Sequence, residues 1–159
     1  MAPPTHPDAL RYLAATADDQ EVVVTLMNEL VQELDPSEAG ARIMALMPQD
    51  IRQALASPHV QIFLAWDNDR AVGLSRGDIL FNDPIFRLRD NPRCGYVDQM
   101  YVRPGYRDHS VGERLLGLCE RWFKQQGVHH VLLHAAPKAV RFYARCGYQP
   151  NREMFKELT

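Results

Sequence analysis

The chain has 159 residues, room for one domain with a substantial core. Its hydrophobic fraction of 46% and charged fraction of 24% are ordinary for a globular protein, and a formal charge of −2 argues against both a dedicated nucleic-acid binder and a disordered chain. Cys94, Cys119 and Cys146 are too few and odd in number for a disulfide framework, so a reducing, cytoplasmic setting is expected. The start of the chain lacks a basic-then-apolar leader, and no apolar run approaches the roughly 18 residues that span a bilayer.

Residues 1–8 hold Pro3, Pro4 and Pro7 and are expected to form a loose arm on a single domain of residues 1–159. Leu10 to Ala15 suits a first strand. Asp18 and Glu21 have capping-box spacing, and Val23, Leu26, Met27, Leu30, Val31 and Leu34 follow on one helical face. Asp35-Pro36-Ser37 ends that helix. Ile43, Leu46, Met47, Ile51 and Leu55 predict a second, divided or kinked at Pro48.

Val60 to Trp66 and Ala71 to Phe81 read as a hairpin around the turn residues Asp67-Asn68-Asp69-Arg70. The alternation falters at Arg76 and Gly77, a mark of a bulge. Residues 82–93 read as a connecting excursion, and Gly95 to Val102 as the next strand. A loop from Pro104 to Gly112 then feeds the cleanest amphipathic helix, with Val111, Leu115, Leu118, Cys119 and Trp122 on one stripe and Gly127 as its cap. Val128 to His134 predicts a strand, Pro137 to Gly147 a short helix, and Tyr148 to Leu158 a final strand. The class is mixed α/β.

The segment Tyr101 to Gly112 lies between a strand and a helix start. Free N–H groups and the positive end of the helix dipole favour a phosphate there. Gly112 allows close approach to the backbone, and Arg107 supplies a forked cation. An ordinary strand–helix connection is the competing reading. Neither a P-loop nor a dinucleotide-binding glycine pattern is present.

Arg107-x-x-Ser110-x-Gly112 between strand and helix resembles the acetyl-CoA loop of the GNAT N-acyltransferases, whose pattern is Q/R-x-x-G-x-G/A. His134 to Tyr148 is similar to that family's A-x-x-F-Y-x-x-x-G-F signature, carried here by Ala139, Phe142, Tyr143, Gly147 and Tyr148. The resemblance covers residues 95–150 and extends to the first half only in element order. It implies a mixed, mostly antiparallel central sheet flanked by about four helices. It implies acetyl-CoA as co-substrate, with Arg107, Asp108, His109, Ser110, Val111 and Gly112 around the pyrophosphate and Met100, Tyr101 and Val102 along the pantetheine arm. Tyr143 matches the tyrosine that protonates the departing thiolate. Asp98 falls where some members place a general base. Ser110 stands where the pattern has its first glycine; it needs an unstrained backbone, and its hydroxyl can reach a phosphate oxygen.

Acyl transfer to an amine requires that an ammonium lose a proton, work suited to a carboxylate of raised pKa. Asp98 is expected to share a strand face with Tyr96 and Met100, whose burial would raise it; a carboxylate paired with arginine is the alternative. Tyr143 reads either as an acid for the thiolate or as a packed helix tyrosine. His130 and His134 share a strand face about 13 Å apart, too far to grip one metal ion, and no metal is expected. His109 reads as an exposed loop residue. Cys119 and Cys146 read as inert thiols, which favours direct attack by the amine. Lys138, Arg141 and Arg145 share one helix face, either solvated or near the cofactor phosphates.

Residues 1–98 carry 8 basic and 15 acidic groups, a net −7, whereas residues 99–145 carry 8 and 3, a net +5. That split suits an anionic cofactor and a cationic small-molecule amine. The competing functions are transfer to a protein N-terminus or lysine, and a non-catalytic acyl-CoA sensor or scaffold. No nucleic-acid or membrane partner is expected. Relatives of this family are often dimers, which leaves a homodimer among the expected states.

Overall fold

The computed structural model describes residues 9–81, 91–151, 154 and 156–158. The expected arm and residues 82–90 of the excursion lie outside the described residues. The first strand, β1, is Arg11–Ala14. The helix cap that follows sits two residues earlier than its sequence signal. The Thr16 backbone N–H donates to Asp19 Oδ2 at 2.8 Å, and a 3₁₀ turn over Ala17–Asp19 leads into α1, Gln20–Leu34. Ser37 accepts the N–H of Ala39 and opens α2, Glu38–Ala56. This helix runs through Pro48 undivided.

β2, Val60–Asp67, and β3, Arg70–Phe81, form the expected hairpin. β4 is Arg93–Val102, α3 is Val111–Gln125, β5 is Val131–Leu133 and α4 is Val140–Arg145, entered through a 3₁₀ turn at Pro137–Ala139. β5 begins later than predicted because Val128 serves the end of α3. Its N–H donates to the Phe123 carbonyl at 2.9 Å, beside Gly127 at φ 74°. Tyr148 to Asn151 carries no strand, for the same reason. The Tyr148 N–H donates to the Tyr143 carbonyl at 3.0 Å after Gly147 at φ 91°, so it caps α4. Arg152, Glu153, Phe155 and Thr159 lie outside the described residues.

The five strands order as β1-β2-β3-β4-β5. The first four pair antiparallel, and β5 pairs parallel to β4. Strand alternation sends side chains to two faces. Ile62, Leu64 and Leu74 pack under α1 and α2 with Val23, Leu26, Met27 and Ile51. Ala65, Val72, Ile79 and Val97 pack on the other face, under Leu115, Leu116, Cys119 and Phe123 of α3. Gly77 and Gly95 admit the Phe123 ring, which comes within 2.7 Å and 3.0 Å of where their Cβ atoms would stand. The close seat of α3 on β3 and β4 therefore depends on two missing side chains.

Two irregularities shape the far end of the sheet. Arg76 pairs with Gln99 but Gly77 pairs with Val97, so Asp98 is an extra residue in β4. β4–β5 pairing covers only Gly95↔Val131, Tyr96↔Leu132 and Val97↔Leu133. β4 continues to Val102 without β5 beside it. The pairing with β5 stops at Val97, directly before the bulge.

Candidate active site

Two residues singled out from the sequence lie on opposite faces of the sheet near the point where β4–β5 pairing ends. Asp98 is on the α1/α2 face. Its carboxylate lies 3.4 Å from Arg76 Nε, and its side chain is 32% exposed. Tyr143 is on the α3/α4 face, buried against Val97 and Cys119, with Met100 and Leu133 packed alongside. Met100 does not share Asp98's face, as alternation predicts; it packs toward α3, because the extra residue reverses the alternation beyond it.

Arg76 is buried and serves three carboxylates. Its Nε donates to Asp78 Oδ1 at 2.8 Å, its Nη2 to Asp78 Oδ2 at 3.0 Å, and its Nη1 to Asp50 Oδ2 at 2.8 Å. Burial pulls the guanidinium pKa down, and the bonds from Asp78 with the charges of Asp98 and Asp50 more than reverse this. Burial raises the Asp98 pKa above the ordinary carboxylate value; Arg76 opposes the rise, and Asp78 and Asp50 add to it. Three acids against one cation leave this face of the sheet with excess negative charge. Asp50 and Asp78 escape a reading of the sequence. The only signal is Arg76 itself, a charge inside an apolar strand run that demands partners.

Tyr143 carries no hydrogen bond from its hydroxyl among the described residues. Its ring meets Phe142 and Tyr148 edge-on at centroid distances of 5.0 Å and 5.8 Å. Burial pushes its pKa up to about 12. The phenol stays protonated across the neutral range. The Cys119 thiol is likewise pushed up to about 12 by burial, which removes it as a nucleophile.

The loop between β4 and α3 is pinned at both sides. Arg103 clamps Glu29 of α1 with contacts of 2.9 Å and 2.6 Å and donates to the Ala71 carbonyl at 2.8 Å. Arg107 donates to the Val102 carbonyl and to Glu33, each at 2.7 Å. The Glu29 and Glu33 carboxyls are held below the usual range by these bonds. Arg107 is thus committed to α1, so the loop's backbone N–H groups, rather than this side chain, remain for an anion. Tyr106 donates to Asp67 at 2.6 Å and anchors the loop's middle. Asp108, His109 and Ser110 are exposed, and Val111 is buried against Leu115. The missing side chain of Gly112 faces the Phe142 ring at 3.4 Å, so this glycine also fits α3 to α4.

Ser110 departs from its expected backbone. It lies at φ 61°, ψ 11°, in the left-handed region, and its side chain makes no capping bond. An L residue there costs about 1–2 kcal/mol, offset in a glycine by about 0.5–1 kcal/mol of unfolded-chain entropy. Ser110→Gly is therefore expected to raise stability by about 0.5 kcal/mol and to leave acetyl-CoA affinity intact or tighter. Thermal unfolding and titration calorimetry check this, and a weakened affinity would instead assign the hydroxyl to a phosphate.

The remaining predicted features are peripheral. His109, Lys138, Arg141 and Arg145 are exposed. No cluster of three metal-ligating side chains occurs among the described residues, and none of the described helices is long and apolar enough to cross a membrane.

Comparison with known proteins fits this fold. A GCN5-related N-acetyltransferase from Ralstonia eutropha JMP134 superposes with TM-score 0.83 at 20% identity, over 94% of this chain and 98% of that one. A Clostridium acetobutylicum acetyltransferase structure containing acetyl-CoA gives TM-score 0.83 at 18% identity, over 94% and 96%. An aminoglycoside N-acetyltransferase in complex with CoA gives TM-score 0.74 at 16% identity, over 94% of each chain. A Bacillus subtilis (strain 168) protein named as an acetyltransferase is 29% identical over 69 residues, 43% of this chain and 47% of that protein, so the match spans about half of that relative. The acetyltransferase (GNAT) family model matches residues 26–148. With that match over most of its length, the chain belongs to the GNAT acetyltransferase family.

Proposed function

We propose that the protein transfers the acetyl group of acetyl-CoA to the amine of a cationic small molecule by direct attack. One observation carries this reading: β4–β5 pairing ends at the β4 bulge, with Asp98 on one face of the sheet there and Tyr143 packed on the other, and a thioester is proposed to lie between them. The loop N–H groups before α3 would hold the pyrophosphate, and the edge of β4 from Met100 to Val102, unpaired with β5, would bond the pantetheine arm. Asp98 meets the ammonium and assists its deprotonation. The neutral amine attacks the carbonyl carbon, the C–S bond breaks, and Tyr143 protonates the thiolate. The reaction releases one proton overall.

The excess of Asp50, Asp78 and Asp98 over Arg76 favours a cationic acceptor, and the CoA complex of an aminoglycoside N-acetyltransferase with this fold supports a small-molecule one. A panel of polyamines, aminoglycosides, lysine peptides and free N-terminal peptides, assayed for CoA thiol release, tests the reading. Release is expected with a polycationic small amine. Transfer to peptides alone would move the acceptor class, and acetyl-CoA binding without release would leave a sensor.

A further inference from the structure

Tyr143 lies on α4, a helix of only 6 residues. A helix this short does not hold itself in water, so its pose comes from what it touches. Two contacts fasten it to α3. The Phe142 ring packs 3.4 Å from where a Cβ on Gly112 would stand. The Tyr148 hydroxyl donates to Glu120 Oε1 at 3.0 Å. Gly112 and Glu120 stand about 12 Å apart along the axis of α3.

Tyr148 also holds Tyr143 directly, in two ways. Its backbone N–H donates to the Tyr143 carbonyl at 3.0 Å, and its ring meets the Tyr143 ring edge-on at 5.8 Å. Phe142 meets that ring edge-on as well, at 5.0 Å. The Tyr143 hydroxyl has no hydrogen bond among the described residues, so its direction is set by what holds the ring and the backbone behind it. Burial and the Glu120 charge raise the Tyr148 pKa, so its hydroxyl keeps the proton it donates. The family signature has phenylalanine where this chain has Tyr148, so the bond to α3 is an addition to that pattern.

We propose that Glu120 is a positioning residue for the Tyr143 phenol and acts through Tyr148. The inference rests on the transferase reading above, in which Tyr143 protonates the departing thiolate. Proton transfer requires donor and sulfur within hydrogen-bond reach, and the rate falls steeply when the donor strays. Glu120 and Tyr148 touch neither acetyl-CoA nor amine in this scheme. They fix the far end of α4, as Phe142 on Gly112 fixes the near end. α3 itself begins at the loop that would hold the pyrophosphate. Tying α4 to α3 therefore gives the proton donor and the cofactor a common footing.

The test is a double-mutant cycle on kcat, read as thiol release at saturating acetyl-CoA with the panel amine that reacts fastest. Tyr148→Phe retains the ring and removes the clamp. It should lower kcat about tenfold and leave acetyl-CoA affinity unchanged. Glu120→Leu should lose as much, and Glu120→Gln, which keeps an oxygen for the hydroxyl, should recover most of it. In a Tyr143→Phe background Tyr148→Phe should cost less than about twofold, because no phenol proton is left to position. A packing role would give the same loss in both backgrounds, and that result overturns the proposal. So does an undiminished kcat in Tyr148→Phe. Either result leaves Tyr143 in its role. A Tyr143→Phe enzyme with wild-type kcat removes Tyr143 as the acid and this inference with it. Wild-type protein that acetylates no amine removes the transferase reading as well.

Discussion

Tyr143→Phe is expected to slow acetyl transfer about a hundredfold while acetyl-CoA binds as tightly as before. The hydroxyl has no hydrogen bond among the described residues, so its removal orphans no partner and the packed ring remains. Stability should hardly change. What disappears is the proton for the departing thiolate. A phenol pushed up to about 12 is a weak acid, yet the burial that raises it also raises the basicity of a thiolate beside it. The pH profile follows from the sign of the shift. The protonated phenol is the active form, so activity should not fall on Tyr143's account until the pH nears its raised value. Single-turnover thiol release, with calorimetry for affinity, reads both quantities. Unchanged release in Tyr143→Phe would return this residue to packing alone.

Arg76→Met should destabilise the fold by about 3–5 kcal/mol at neutral pH, the usual cost of stripping a buried ion pair of one partner. Asp78, with a side chain 19% exposed, bears most of this; Asp50, at 47%, is screened by water and contributes little. In the variant the Asp98 carboxyl, already raised by burial, would lose the guanidinium that opposes the rise. Its ionised form would then weaken the fold. As pH falls through that raised value the carboxyl protonates in the folded state first, so acidification should recover part of the loss. Wild type should show the opposite trend for Glu29 and Glu33, whose values Arg103 and Arg107 depress. The stability they add is full above the ordinary carboxylate range and is lost as pH falls through the lowered values. Chemical denaturation at pH 7 and pH 5 measures the contrast. Equal losses at both would show that Arg76 acts through packing rather than charge.

The amphipathic stripe of α3, the turn residues at 67–70 and the Phe-Tyr helix placed most of the fold from sequence, because each is a local pattern. The errors have local causes of another kind. Val128 and Tyr148 have the composition of strand residues, yet their N–H groups are taken by helix ends through Gly127 and Gly147. Ser110 carries no mark in the sequence of its left-handed backbone. The charge cluster around Arg76 is the hardest part to read. Asp50, Asp78 and Asp98 come from three separate elements and meet only around Arg76, and Tyr96 meets His134 across 38 positions. No spacing rule links residues that only the sheet brings together.

The surplus residue in β4 also acts as a parity switch. Before it, odd-numbered Gly95 and Val97 look toward α3; after it, even-numbered Met100 and Val102 do, and Tyr101 turns to Glu29 on α1. The two halves of the strand are thus written in different frames. Any substitution at position 98 keeps both frames and alters one side chain. Removing the position would merge them into one regular alternation: Gln99 would follow Val97 directly, Met100 and Val102 would still face α3, and the kink would be lost together with its carboxylate. The surplus residue thus bends the strand without deciding which side chains reach the core.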